Sequence, residues 1–242
     1  MAVSEIPEIE VKSKLKEIEK KGFIKSLRKS DTGIGFTLET EMGIKENNTK
    51  GGDLTYNGKM VELKAQRSHA TSNITLFTKE ASIRHLNDVE LLRKYGYSDV
   101  NGRVGLKITL TTNGFNPQNF MLAIDEKNNL LSLTHKNDGA IWSYTFNELL
   151  EKLKKKLSEN LLIVLADSEK RKDGEYFHFN KAYLLSDISM DKFLGLLKDG
   201  KLVIEFRMHL KPNSISRNHG TGFRLNERYI PELYAKKEVL LG

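Results

Sequence analysis

Asp53-Leu54-Thr55-Tyr56-Asn57-Gly58-Lys59-Met60-Val61-Glu62-Leu63-Lys64 reads as a tight β-hairpin. Asn57-Gly58 between two extended segments is the strongest short-range signal for a two-residue type I′ turn, because both central residues need positive φ. Counting outward pairs Tyr56 with Lys59, Thr55 with Met60, Leu54 with Val61 and Asp53 with Glu62. Two carboxylates are then expected directly opposite one another, and like charges so placed destabilise a sheet unless something compensates them. Side chains alternate along a strand, so Glu62 and Lys64 share one face while Val61 and Leu63 turn to the other, the expected core side.

Upstream, Ile9, Val11, Leu15 and Ile18 fall near helical spacing, with Pro7 before the run and Gly22 after it. This predicts an amphipathic helix over about residues 8–21. Ile34, Leu38 and Met42 recur every four residues and predict a second helix, capped by Asp31 or Thr32 and ended by a left-handed Gly43. Glu39 lies one position round from that stripe, on the side of Gly35.

Downstream, residues 73–78 read as a strand and Ile83 to Tyr95 as a helix. Residues 104–112, 119–124 and 130–134 alternate like antiparallel strands around turns at Asn113-Gly114 and Asn116-Pro117. Leu149, Leu150, Leu153 and Leu157 stripe a helix, on which Lys154-Lys155-Lys156 reads as a solvated face. Leu161 to Leu165 suits a buried strand. Residues 177–185 and 201–210 read as strands, 190–197 as a short helix ending at Gly200, 211–221 as a polar loop and 227–235 as a last helix. The order is α+β, and the length predicts a single unit over 1–242 that divides into two lobes around a cleft.

No stretch approaches the ~18 apolar residues of a membrane span, and Met1 to Lys21 lacks a signal-peptide core, so a cytoplasmic location is expected. The absence of cysteine excludes disulfides, thiolate nucleophiles and Cys-ligated zinc. Any metal must sit on oxygen or histidine. Lys and Arg number 39 against 32 Asp and Glu, a net charge of +7 with a pI near 9.3. That suits a polyanionic partner, although a basic surface also serves solubility alone.

Within the hairpin, Lys64 stands beside two carboxylates. Converging oxygen ligands suit Mg²⁺, which takes one or two carboxylates and completes its shell with water and substrate phosphate. Such an ion stabilises charge building on a scissile phosphate and acidifies a bound water, which Lys64 could orient or deprotonate. The chemistry is phosphodiester hydrolysis. An isolated match of this kind is more often a lysine neutralising exposed carboxylates. Here the predicted hairpin, the basic charge and Glu39 on the helix just upstream favour the catalytic reading.

Five stretches then point to a family. Gly35-Phe36-Thr37-Leu38-Glu39, Gly43-Ile44-Lys45-Glu46-Asn47-Asn48, Gly52-Asp53-Leu54, Glu62-Leu63-Lys64 and Thr75-Leu76-Phe77-Thr78-Lys79 occur in a characteristic order. With His219-Gly220-Thr221-Gly222-Phe223-Arg224 they make the chain resemble the MvaI/BcnI restriction endonucleases, relatives of the MutH-like branch of the PD-(D/E)XK nucleases. The resemblance implies a PD-(D/E)XK core, a mixed β-sheet flanked by helices, with two lobes around a DNA-binding cleft. It places the catalytic motifs within about 31–80 and the recognition elements within about 201–226. It further implies that Asp53 and Glu62 ligate Mg²⁺, one or two ions, that Lys64 is the catalytic lysine and that Glu39 is the supporting helix carboxylate. One departure is visible: residues 54–61 separate the two carboxylates by more than the family pattern, and the Asn57-Gly58 turn absorbs the extra length.

DNA contacts divide into those that position and those that read bases. Arg67, His69 and Lys79 are placed to bind phosphates flanking the cut, and equally read as ordinary exposed charges. Arg207, His209, Arg217, His219 and Arg224 concentrate basic and imidazole groups around Gly220 and Gly222. Arginine is the usual bidentate reader of guanine. His219 and Arg224 match the family motif, whereas Arg207, His209 and Arg217 follow from position and also read as surface residues. The resemblance implies a CCNGG-type site, with Thr78 near the minor groove of the central pair and A·T favoured there.

The leading expectation is therefore a prokaryotic type II restriction endonuclease acting on double-stranded DNA. It is expected as a monomer that nicks each strand in turn, with a companion DNA methyltransferase. A MutH-like strand-nicking repair enzyme and a catalytically inactive DNA-binding module are the alternatives.

Overall fold

The computed structural model describes residues 8–44, 53–98, 102–212 and 215–242. Pro7, Lys45 to Asn48 and Gly52, used in the sequence reading, lie outside the described residues. The chain divides into two compact units, Met1–Ser72 with Leu157–Ile188 and Ile230–Gly242, and Asn73–Lys156 with Ser189–Tyr229.

The first unit is built on a mixed sheet in the order Ile24–Lys25, Gly174–Ile188, Asn160–Arg171, Lys59–Arg67, Leu54–Tyr56, with Tyr234–Leu241 also paired to Gly174–Ile188. Asn160–Arg171 runs parallel to Lys59–Arg67, with Leu161 beside Glu62 and Ile163 beside Lys64. The continuous apolar run 161–164 belongs on such a central strand, since a strand covered on both faces cannot alternate with polar residues, and all four side chains are buried. Helices Glu8–Lys20 and Gly33–Met42 cover one face of the sheet. Val11, Leu15, Ile18, Ile34, Leu38 and Met42 pack there with Val61, Leu63, Leu162, Val164, Phe177 and Phe179. Gly43 ends the second helix in the left-handed conformation, φ 75°, as its position after the stripe requires. Thr32 holds the N-cap position but makes no side-chain cap. Its hydroxyl lies 2.8 Å from that of Ser30 instead.

The hairpin has the predicted turn and register. Asn57 and Gly58 sit at φ 50° and 70°, and Leu54, Thr55 and Tyr56 pair with Val61, Met60 and Lys59. The next pair does not form. The Asp53 N–H donates to the Val61 carbonyl at 2.9 Å, and the Asp53 carboxylate accepts the Leu63 N–H at 2.8 Å. Asp53 therefore does not stand squarely opposite Glu62: its side chain replaces the backbone as the acceptor for Leu63, which moves the two charges out of cross-strand register. An added Cβ on Gly58 meets no atom within 4 Å, so Gly58→Val isolates the backbone cost of positive φ. It should lower unfolding free energy by about 1–2 kcal/mol in denaturant titration, and an unchanged midpoint would show that the turn relaxes.

The second unit carries two antiparallel sheets, Ile83–Arg84, Gly139–Thr145, Leu130–His135, Phe120–Asp125 and Asn73–Thr78, Gly222–Asn226, Leu202–Leu210, Val104–Leu110, Tyr97–Ser98. Ser216–Asn218 adds to Leu202–Leu210 within the segment read as a loop. Phe77 stacks on Phe223 at 4.5 Å in its core, and buried Trp142 and Tyr144 find polar partners in the Leu86 carbonyl and the Thr221 hydroxyl. The helix expected over 83–95 is shorter, Asp88–Tyr95. Asn87 starts it with a capping box, accepting from Val89 and Glu90 while Glu90 returns a bond to the Asn87 N–H. Ile83 and Arg84 instead pair with Ser143 and Trp142. The helix expected over 227–235 is a 3-10 turn Glu227–Leu233 containing Pro231, followed by the strand Tyr234–Leu241. Proline lacks the N–H an α-helix needs there, and the strand gains a ladder with Gly174–Ile188.

Candidate active site

In the first unit, alternation sets Glu62 and Lys64 on the sheet face opposite the helices, since Val61 and Leu63 are buried among the helix side chains. Beside them on the parallel neighbour stand Leu161 and Ile163, both buried, so the charged pair has an apolar flank. Asp53 joins this group through its bond to the Leu63 N–H. Its carboxyl is pushed above the ordinary carboxylate range chiefly by burial; the Leu63 bond opposes the shift and the negative charge of Glu62 adds to it. Glu39 projects from the second helix with Oε1 4.0 Å from where a Cβ on Gly35 would lie, the side expected from the helical wheel.

A carboxylic acid whose native pKa is raised is held more favourably protonated than ionised by the fold. The native state gives up that advantage as pH rises from the ordinary carboxylate value through the raised native one. Asp53→Asn, which keeps the acceptor for Leu63, should therefore melt higher than the metal-free wild type at neutral pH. The gap should close as pH falls toward the ordinary Asp range. A gap that widened on acidification would mean the native fold favours the charged form.

One residue that the sequence reading passed over touches this group, and a second holds the first. The Ser158 hydroxyl donates to Glu62 Oε2, and the Tyr234 hydroxyl donates to the Ser158 carbonyl at 2.8 Å. Burial, with a smaller contribution from the Glu62 charge, pushes the Tyr234 hydroxyl above its ordinary range. Their distance along the chain from Glu62 left no sequence signal. Arg67 makes a two-point ion pair with Glu175, at 2.9 and 2.8 Å, and holds Glu175 below its ordinary range. His69 is exposed in the turn after the same strand, close enough to Asp167 to help lower that carboxyl behind the Ser68 and Asn180 bonds.

The second unit gathers much of the predicted basic set. Arg207, His209 and His219 line an open groove of about 470 Å³ with Tyr97 and Lys107. The His209 and His219 rings lie 5.8 Å apart, the His219 N–H donates to the Arg207 carbonyl at 3.0 Å, and Arg217 pairs with His209 across the strands. Lys107 stands directly opposite Arg207. Glu205 lies 3.8 Å from Arg207 and offsets part of the like-charge repulsion expected in that position, and the sequence reading missed Lys107 because it lies a hundred positions upstream of its pair. Arg224 does not line the groove but shares Glu205 with Arg207: it binds that carboxylate at 3.2 Å and the Asn73 carbonyl at 3.1 Å, with a buried Nε lacking a partner. Lys79 lies 3.7 Å from Glu148 and donates to the Glu80 carbonyl. Thr78 is exposed at the end of its strand, and a Cβ on Gly220 would come within 3.3 Å of its side chain.

Among the described residues, no group of three or more His, Asp or Glu side chains is placed to hold a metal by itself. The pair Asp53 and Glu62 fits a hard cation nonetheless. It is all oxygen, and the burial and like charge that raise the Asp53 pKa are what a bound cation would offset.

The sequence profile of the MvaI/BcnI restriction endonuclease family matches residues 12–234. Among solved structures, the chain is similar to restriction endonuclease MvaI in the absence of DNA, with 22% identity, TM-score 0.68 and coverage of 96% of this chain and 97% of that one. It is also similar to the MvaI–cognate DNA substrate complex, with 24% identity, TM-score 0.60 and coverage of 97% and 98%. No match is found among curated proteins. No described helix is long and apolar enough to cross a membrane. A profile match over nearly the whole chain and a shared PD-(D/E)XK-type fold lead to one conclusion: the chain belongs to the MvaI/BcnI restriction endonuclease family, type II site-specific deoxyribonucleases that cleave double-stranded DNA.

Proposed function

We propose that this endonuclease is Mg²⁺-dependent and cuts a CCNGG-type site, with A·T favoured at the centre, as a monomer that nicks each strand in turn. We also place it in the cytoplasm of a prokaryote, beside a companion DNA methyltransferase. The observation that carries the catalytic part is the grouping of Asp53, Glu62 and Lys64 on one hairpin, with burial and Glu62 raising the Asp53 pKa. Asp53 and Glu62 would hold the cation, and Glu39 would support them from the helix. When bound, Mg²⁺ supplies positive charge to the phosphate and acidity to a coordinated water. Lys64 would orient an attacking water or take its proton; as the water oxygen bonds to phosphorus, the bond from phosphorus to one ester oxygen would break and that departing oxygen would take up a proton from solvent. The apolar flank of Leu161 and Ile163 strengthens each of these charge interactions by lowering the local dielectric.

For recognition, the groove of Lys107, Arg207, His209 and His219 supports binding to guanine edges or phosphates, with Arg217 at its border. Thr78 is assigned to the central pair, and His69 to a flanking phosphate. Arg67, Lys79 and Arg224 lie beside Glu175, Glu148 and Glu205, so their contribution is to fix strand positions as much as to meet DNA.

Plasmids carrying a single A·T-centred site, CCAGG with complement CCTGG, or a single G·C-centred site, CCCGG with complement CCGGG, test the whole reading. The purified chain should linearise the A·T-centred substrate through a nicked intermediate with Mg²⁺, and should leave both intact with chelator. Cutting of the G·C-centred site instead would reverse the assignment of the central pair. A requirement for added proteins would favour a MutH-like nicking enzyme.

A further inference from the structure

Glutamate on an exposed strand has three rotatable bonds, and nothing in the hairpin alone fixes where its carboxylate points. In this chain a second segment does so. The Ser158 hydroxyl occupies Glu62 Oε2 and leaves Oε1 for another ligand. The loop that carries Ser158 is itself held at several points. Tyr234, 3% exposed, donates its hydroxyl to the Ser158 carbonyl at 2.8 Å. The Asn160 side-chain amide donates to the Met60 carbonyl at 3.2 Å, and Leu161 then enters the parallel ladder beside Glu62. Tyr234 is anchored in turn by its place on the closing strand, where Ile188 is its partner. Glu62, Ser158 and Tyr234 thus form a hydrogen-bonded chain running from the hairpin into the body of the first unit.

We infer that Ser158 and Tyr234 are positioning residues for Glu62, holding its carboxylate in the orientation in which Oε1 binds the cation. This rests on the reading of Glu62 as a ligand. Both act through Glu62 in this reading, so their loss should alter cation affinity rather than the chemical step. Groups that orient metal ligands typically contribute 10–100-fold to affinity.

The test is Mn²⁺ binding to the full chain, followed by electron paramagnetic resonance, alongside the Mg²⁺ dependence of cleavage. Ser158→Ala should weaken Mn²⁺ binding and raise the half-saturating Mg²⁺ by about 10-fold or more, with the rate at saturating Mg²⁺ near wild type. Ser158→Thr should restore both, because it restores the hydroxyl. Tyr234→Phe should shift both in the same direction by less, and serves in place of Ser158→Ala should that variant fail to fold. Glu62→Gln separates the two claims. If it weakens Mn²⁺ binding while Ser158→Ala and Tyr234→Phe bind as tightly as wild type, the positioning inference is overturned alone. If Glu62→Gln also binds Mn²⁺ as wild type does, the ligand reading fails and the inference with it.

Discussion

Lys64→Ala should bind a cognate duplex as tightly as wild type in Ca²⁺ and cut it about 10²–10⁴-fold more slowly with Mg²⁺. Three features lead there. Lys64 shares a strand face with Glu62, its neighbour in the ladder is the buried Ile163, and its side chain is half-buried rather than free in solvent. An ammonium group so placed acts on a reacting water or phosphate more strongly than a surface lysine could. Duplex affinity should be spared, because it depends on many phosphate contacts of which one lysine is a small share. Lys64→Arg separates the two roles open to the residue: a guanidinium keeps the charge but does not exchange a proton near neutrality. Retained cutting in the arginine variant would make Lys64 an orienting charge, and wild-type turnover in the alanine variant would remove it from the mechanism.

Asp53→Ala is expected to have the other large effect, a fall in cleavage of about 10³-fold or more, as when a metal centre loses half its protein ligands. Unlike Lys64→Ala it should also destabilise the fold. The Asp53 carboxylate is the acceptor for the Leu63 N–H at 2.8 Å, and a backbone donor left without one costs about 1–3 kcal/mol when buried. Asp53→Asn keeps that acceptor and removes the charge, so it should lose cutting as severely while melting higher than wild type at neutral pH. The two variants thus move activity together and stability apart. If both were equally unstable, the Leu63 bond would not be what Asp53 contributes to the fold.

The turn and the helices were legible because their determinants are local. Asn57-Gly58 states its own geometry, and the four-residue recurrence of Ile34, Leu38 and Met42 states a helix ended at Gly43. Asp53 was misplaced by the same logic: regular alternation cannot foresee a side chain that substitutes for the backbone in the ladder. The strand Gly139–Thr145 carries no alternating signal in the sequence, because Ile141 to Tyr144 are buried on both faces of the sheet. Glu227 to Ala235 has helical composition, but Pro231 limits it to a 3-10 turn and its last two residues join the closing strand, whose ladder with Gly174–Ile188 outweighs that preference. In the site, residue types within the hairpin carried the reading. Ser158, Tyr234 and Lys107 were invisible because their relation to it exists only after the chain has folded.

The parallel pairing of Asn160–Arg171 with Lys59–Arg67 also bears on when the proposed site can be completed. A hairpin closes within microseconds, yet the other edge of the same strand waits for a partner made roughly a hundred residues later, at a typical pace of about 5–20 residues per second during synthesis. The segment bearing Tyr234 emerges later still. A half-made chain therefore carries the carboxylates and the lysine without the walls that desolvate and orient them. For the proposed site, that order of synthesis predicts that cutting begins only in molecules that have finished folding.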